Sequence, residues 1–431
     1  MIINSDKLKR VSTAKMIFKK KTDGVVVKYK FLGITVARVR KIDIFVEYKI
    51  LGIIIKRVLI PSNKKLRKEK SLELFSKKNI VLFFDLSLGG GTESYFYNIL
   101  KNVRINNNII RFQYMNDLNI YKVTYFERDN EYILIVKDLF SFEKKILKTE
   151  LSEIVVNNLV SWPNTYAVLN LISRLKNKNV FLSVRGHDYF PICPFFNLTR
   201  NGRFCGLPLG EGCETCFPLN THDDIPVAPE IEINSWRKNW EHFFDKYVDE
   251  LIVFSQSGYN LFIKAYPCLE RKTKIILHNV PKLREVRSHG NRNTKIKIGV
   301  LGSITRQSKG SDILNEMELY IDSDPNISLV VIGDYKKLSQ KTRVVGKYNR
   351  EELPEILENN EIDIIFIPSV WPETFSYTTA EAIIMNIPVA CFDLGAPAER
   401  VKKYDKGLVI NEIDAKLAVC EIKKFINMGF K

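Results

Sequence analysis

The 431-residue chain is 45% apolar and 27% charged, too long for one ordinary core and too apolar for disorder, so two folded domains plus an appendage are expected. Its formal charge of +17 is uneven: residues 1–80 carry 22 Lys and Arg against 6 Asp and Glu, leaving 44 against 43 over the other 351. A nearly neutral body without a zinc-finger, helix-turn-helix or RNA-binding motif argues against nucleic acid as partner. No stretch approaches the roughly 18–20 apolar residues of a membrane span, and the N-terminus lacks a signal-peptide apolar region, so a cytoplasmic protein is expected.

Residues 1–75 read as a basic, β-rich leader. Tyr29-Lys30-Phe31-Leu32-Gly33-Ile34 with Arg38-Val39 recurs 19 residues later as Tyr48-Lys49-Ile50-Leu51-Gly52-Ile53 with Arg57-Val58. Each copy reads as a short strand or hairpin arm, and alternation of β-branched with basic residues gives one apolar and one cationic face. Such a surface suits anionic lipid at the inner face of a cell membrane, each basic side chain contributing on the order of 1 kcal/mol; a solvated basic edge is the other reading.

From residue 79 short apolar runs alternate with helical periods. Residues 79–84, 153–156, 179–184 and 250–254 read as buried parallel strands of one α/β domain, 79–283. Gly89, Gly90 and Gly91 follow the first of these and precede a helix from about residue 94. Glycines in a strand-to-helix turn let a ligand approach the main chain. Arg185-Gly186-His187-Asp188 follows the third strand, where a histidine is placed to act on a ligand.

Just beyond lie Cys193, Cys205, Cys213 and Cys216, spaced C-x11-C-x7-C-x2-C in an insert (193–216) rich in Gly, Pro and Asn. Four thiolates suffice for a structural Zn site; free thiols and an iron–sulfur cluster are the alternatives. The odd total of seven cysteines, with Cys268, Cys391 and Cys420 isolated, speaks for reduced thiols over a disulfide framework.

The polar segment 284–294 reads as a linker. Beyond it, runs at 296–301, 328–332, 363–367 and 389–392 mark a second α/β domain, 295–431. Two doubly wound, Rossmann-like domains facing a cleft follow, with ligands at the C-terminal ends of the strands. The most informative segment is Pro368-Ser369-Val370-Trp371-Pro372-Glu373-Thr374-Phe375-Ser376-Tyr377-Thr378-Thr379-Ala380-Glu381, ending a strand and opening a helix near Ser376. It sets Glu373 in the turn and Glu381 on the helix, beside N–H groups whose dipole favours a diphosphate.

This segment resembles the E-x7-E signature of family 4 of the retaining GT-B glycosyltransferases, the glycosyl transferases group 1 type, and the likeness extends over roughly residues 79–427. The resemblance implies a nucleoside-diphosphate sugar as donor and a saccharide or lipid-linked saccharide as acceptor, in surface polysaccharide synthesis. By it, Glu373 contacts the donor sugar, Glu381 the ribose, and Thr374, Phe375 and Ser376 supply backbone contacts to sugar and phosphates. Lys309-Gly310 matches the family's phosphate-binding turn, while the family's Arg beside the first glycine is replaced by Ser303, with Arg306 as the alternative source of charge. His187 falls where the family often carries a histidine near the sugar, and the triple glycine resembles its loop near the phosphates and acceptor. No catalytic metal is implied: an isolated D-x-D is missing, and Asp223-Asp224 lies in a loop without supporting ligands. A GT-B sugar phosphorylase and a catalytically degenerate GT-B scaffold, the latter favoured by Ser303, are the competing readings.

Overall fold

The computed structural model describes residues 78–103, 107–127, 130–219, 231–287 and 295–429, and before them the backbone of five strands between residues 18 and 59. Most of the linker (288–294) and Asp223-Asp224 lie outside the described residues. The chain divides into two compact units, 1–69 and 70–431.

The first unit is an antiparallel sheet of β1 (Phe18–Asp23), β2 (Val26–Phe31), β3 (Ile34–Ile42), β4 (Phe45–Ile50) and β5 (Ile53–Leu59), paired in sequence order. Each copy of the sequence repeat covers a strand pair rather than one strand. The β2–β3 register shifts at Tyr29/Lys30 and the β4–β5 register at Tyr48/Lys49, the same place in each copy. Register sets Lys21 opposite Lys28, Lys28 opposite Arg38, and Arg38 opposite Lys49.

The second unit holds two sheets. The first runs β15-β14-β11-β10-β6-β7-β8-β9, built from β6 (Ile80–Asp85), β7 (Asn108–Met115), β8 (Ile120–Glu127), β9 (Asn130–Val136), β10 (Leu151–Val156), β11 (Phe181–Arg185), β14 (Glu250–Val253) and β15 (Thr273–Ile275). Between β11 and β14 the cysteine-rich insert adds a ribbon of two-residue strands, β12 (Thr199–Arg200) and β13 (Arg203–Phe204). Strand β6 is buried at every position because β10 and β7 flank it in parallel and helices cover its faces. The antiparallel strands β8 and β9 extend the sheet beyond the expected parallel set. Strand β8 is buried over most of its second half, while the edge strand β9 is buried only at Val136.

The second sheet is wholly parallel, in the order β18-β17-β16-β19-β20-β21, from β16 (Ile296–Leu301), β17 (Ile327–Ile332), β18 (Arg343–Val344), β19 (Ile364–Ile367), β20 (Val389–Phe392) and β21 (Gly407–Ile410). Two apolar clusters sandwich it. Ile298, Val300, Leu329, Val331, Ile364 and Phe366 enter one; Leu301, Val330, Ile332, Ile365 and Ile367 enter the other. This alternation explains the continuous apolar runs: successive side chains point to opposite faces, and both faces are dry. The order reverses between β16 and β19, which opens a crevice at their C-terminal ends where doubly wound sheets hold ligands.

Candidate functional site

Two segments meet at that crevice. After β16 the chain turns through Gly302 and Ser303 to a short 3-10 helix, Gln307–Lys309, closed by Gly310 in the left-handed region at φ 86°. A Cβ on Gly310 would stand 2.1 Å from the Pro368 carbonyl oxygen, so only glycine lets this turn press on the loop that follows β19. Hydrogen bonds from Val370 N–H (3.1 Å) and Ser369 Oγ (3.3 Å) to the Ser308 carbonyl fix the contact. The result brings Lys309 Nζ to 2.8 Å from Glu373 Oε1. Glu373 is held from behind by Gly395, φ 58°, where a Cβ would come within 2.6 Å of the Glu373 nitrogen, and by Ala396 N–H donating to its carbonyl at 2.8 Å.

Ser376 then caps the helix Tyr377–Ile384, its hydroxyl accepting from Thr379 N–H at 3.4 Å. Glu381 on this helix is buried and pairs with Arg350 (Nε to Oε1, 2.5 Å). Burial raises the Glu381 pKa, opposed by the Arg350 guanidinium. Arg350 opens the 3-10 helix Arg350–Glu352, which carries an Asn349/Glu352 capping box, and its guanidinium lies 5.2 Å from the Tyr377 ring centre.

Across the cleft, Asp85 ends β6 and accepts from Arg111 Nε (2.7 Å), from Asn157 Nδ2 (2.8 Å) and from Leu86 N–H (2.8 Å). Burial raises the Asp85 pKa, and Arg111 and these hydrogen bonds oppose it. With its amide nitrogen donated to Asp85, Asn157 turns its oxygen to His187 Nε2 at 3.0 Å. His187 Nε2 therefore carries the proton, and burial, the nearby His278 and Arg185 hold the ring neutral by lowering its pKa well below 6.5. Nδ1 is left as an acceptor.

The two sides touch directly. Thr374 Oγ1 donates to the His187 carbonyl at 2.7 Å, and Tyr189 OH to the Pro372 carbonyl at 2.8 Å. Gly89 and Gly90 adopt φ near +80° before the helix Gly91–Val103, and a Cβ on Gly91 would lie 3.5 Å from the Tyr377 ring. Glu399 caps the N-terminus of the helix Gln256–Ala265, accepting from Gln256 N–H at 3.0 Å and from Ser257 N–H. His278 sits among Tyr95, Phe254, Phe375 and Tyr377, stacked on Phe375 at 4.2 Å with Nδ1 3.0 Å from Tyr377 OH. Its Nε2 is buried without a hydrogen-bond partner, and burial with the Arg400 charge pushes its pKa down to about 3.

The structure thus gathers Glu373, Thr374, Phe375, Ser376, Lys309, His187 and the triple glycine around one cleft. Ser303 and Arg306 stand exposed on the turn after β16, with Ser303 Oγ 3.4 Å from Thr305 Oγ1. Glu381 is buried and paired with Arg350. Arg350, His278, Arg400, Asn157 and Asp85 escaped the sequence reading. The capping-box pattern at Asn349 marks a helix start, but nothing local ties Arg350 to a carboxylate 31 positions on. Among the described residues no three His, Cys, Asp or Glu side chains already stand in metal-ligating geometry.

Residues 281–430 match the family model described as "Glycosyl transferases group 1". An uncharacterized glycosyltransferase of Methanocaldococcus jannaschii is 22% identical over 282 residues, 58% of this chain; the match spans 64% of that relative's length. The fold is similar to that of sucrose-phosphate synthase from Thermosynechococcus elongatus, with TM-score 0.54, 13% identity, and 81% of this chain and 90% of that one covered. It is also similar to that of the lipopolysaccharide outer core galactosyltransferase WaaB, with TM-score 0.53, 12% identity, and 82% and 91% covered. The second unit is therefore a GT-B fold, and the match to the glycosyl transferases group 1 model falls on its residues 281–430.

Proposed function

We propose that the protein is a hexosyltransferase-type enzyme that moves a sugar from a nucleoside-diphosphate donor to a saccharide or lipid-linked saccharide acceptor, with retention at the anomeric carbon. The observation that carries this reading is the Lys309–Glu373 pair (2.8 Å) beside the N-terminus of the helix Tyr377–Ile384, facing His187 and the glycine loop. In this reading the donor diphosphate lies at that helix end, where N–H dipoles and the Lys309 ammonium, with Arg306 on the same turn, offset the charge that grows on the leaving phosphate. These cationic groups do the work a divalent ion does in other sugar transferases.

Glu373 accepts from donor-sugar hydroxyls and Glu381 from the ribose, with Arg350 orienting the Glu381 carboxylate. Backbone groups of Thr374, Phe375 and Ser376 contact sugar and phosphates, and Gly89, Gly90 and Gly91 let substrate approach the main chain. His187 Nδ1 accepts from a sugar hydroxyl. The C–O bond to the diphosphate breaks as the acceptor oxygen bonds the anomeric carbon from the same face, and the acceptor proton passes to the leaving phosphate oxygen.

The surplus of Lys and Arg in the first 80 residues supports peripheral contact with anionic lipid, which would bring the enzyme to a lipid-linked acceptor of surface polysaccharide synthesis at the inner face of the membrane. Calorimetric titration of UDP, GDP, dTDP and ADP and their sugar conjugates into wild type and Glu381→Ala tests the donor site. One base should bind, at least about tenfold more weakly to the variant. Failure of every nucleotide to bind wild type would favour the degenerate scaffold, in which Ser303 marks a lost phosphate contact.

A further inference from the structure

Cys193, Cys205, Cys213 and Cys216 all line one cavity between the insert and the helix Ile233–Lys246. The backbone presents their sulfurs in a particular way. Phe195 N–H donates to the Cys193 thiol and Leu207 N–H to the Cys205 thiol, an i to i+2 hydrogen bond in both turns. Such bonds orient the sulfur lone pairs toward the turn. Cys213 and Cys216 sit in the first two turns of the helix Glu211–Leu219, three positions apart and so on one face, near the positive end of the helix dipole. Arg237 Nη2 donates to Cys213 Sγ at 3.2 Å and its Nε to the Ile192 carbonyl at 2.9 Å, putting a fixed cation beside the cysteine cluster.

The insert's backbone is costly. Leu198, Asn201, Leu207 and Leu209 all have φ between 50° and 61°, and each such non-glycine position costs on the order of 1 kcal/mol or more. Its regular structure before the helix is one ribbon of two-residue strands. Something besides ladder hydrogen bonding has to hold this conformation.

We infer that the four cysteines form a structural tetrathiolate zinc site, fixed from outside by Arg237. Binding replaces four S–H bonds with four Zn–S bonds and releases four protons, leaving a site of net charge −2 that the Arg237 guanidinium partly offsets. Metal entry draws the sulfurs from the cavity wall to the common ligating distance of about 2.3 Å. The mechanical consequence is local. Cys193 N–H bonds the Tyr189 carbonyl at 2.9 Å, and Tyr189 OH holds the Pro372 carbonyl just before Glu373, so the metal braces the residue that pins the Glu373 loop.

The inference does not rest on the sugar-transfer reading, and its test is independent of it. Metal analysis of the full chain, purified without chelator, should find about one zinc per polypeptide, released when a mercurial titrates four thiols. Exchange with Co2+ should give the intense thiolate-to-cobalt charge-transfer and visible d–d absorption of a tetrahedral sulfur site. Cys213→Ser/Cys216→Ser should lose more than about nine-tenths of the metal; if that variant does not fold, the zinc content and cobalt spectrum of wild type decide alone. A metal-free wild type that takes up no Co2+, an insert held by disulfides, or iron with acid-labile sulfide in place of zinc would each overturn the proposal.

Discussion

Removing the Lys309 side chain tests both the stability and the binding logic of the cleft. In Lys309→Ala the Glu373 carboxylate, 6% exposed, keeps its burial and loses the ammonium 2.8 Å away. Breaking a fully buried ion pair from one side costs about 3–5 kcal/mol. Lys309 is itself 40% exposed, so water replaces part of its effect, and the expected loss falls to about 1–2 kcal/mol. Glu373→Gln takes away the charge that Lys309 compensates, so Lys309→Ala should cost less on that background, a coupling of about 1 kcal/mol. The same lysine supplies one charge-assisted hydrogen bond to the diphosphate in the proposed donor site. Its loss is worth about 1.5–3 kcal/mol, or roughly 10- to 150-fold in nucleoside-diphosphate affinity. Urea denaturation of wild type, both single variants and the double variant gives the coupling, and calorimetry with the bound nucleotide gives the affinity. Additive stabilities together with an affinity unchanged within about twofold would refute the placement of Lys309 between Glu373 and phosphate.

Gly395→Ala should destabilise by about 3 kcal/mol, since it puts a side chain at φ 58° and a Cβ within 2.6 Å of the Glu373 nitrogen. Turnover should fall more than about tenfold as Glu373 shifts, read by thermal unfolding and sugar-transfer assay. The buried His278 makes a pH prediction. Its folded pKa, about 3, lies below the unfolded 6.5, so neutral His278 contributes stability that is present above pH 6.5 and is lost as pH falls toward 3. The slope approaches about 1.4 kcal/mol per pH unit, or about 2 kcal/mol between pH 6.5 and 5. His278→Phe removes this contribution and should lose less stability than wild type over that interval by about that amount; parallel curves from denaturant titrations at each pH would contradict it.

Much of the fold is legible in the chain because buried parallel strands must be continuous apolar runs. Ile296–Leu301 and Ile327–Ile332 announce themselves this way, and the glycines at 89, 90 and 310 mark turns whose positive φ disfavours any side chain. The antiparallel extension β8–β9 is less legible: burial runs in blocks along β8 and is only partial along β9, so neither strand carries a clean apolar run or a period that names its neighbour.

What the sequence determined by itself is therefore the two α/β halves, the basic leader with its repeat, and the E-x7-E loop and cysteine cluster, all of them local patterns set by residue type and spacing. What only the tertiary structure decided is which distant groups meet. Arg350 reaches Glu381, Asn157 passes the constraint of Asp85 to His187, Tyr189 grips the loop before Glu373, and His278 fills an aromatic pocket between the halves. Those pairings depend on strand order and on the angle at which two sheets face one another. A charge or ring in the chain carries no mark of its partner until packing removes the water that would otherwise satisfy it.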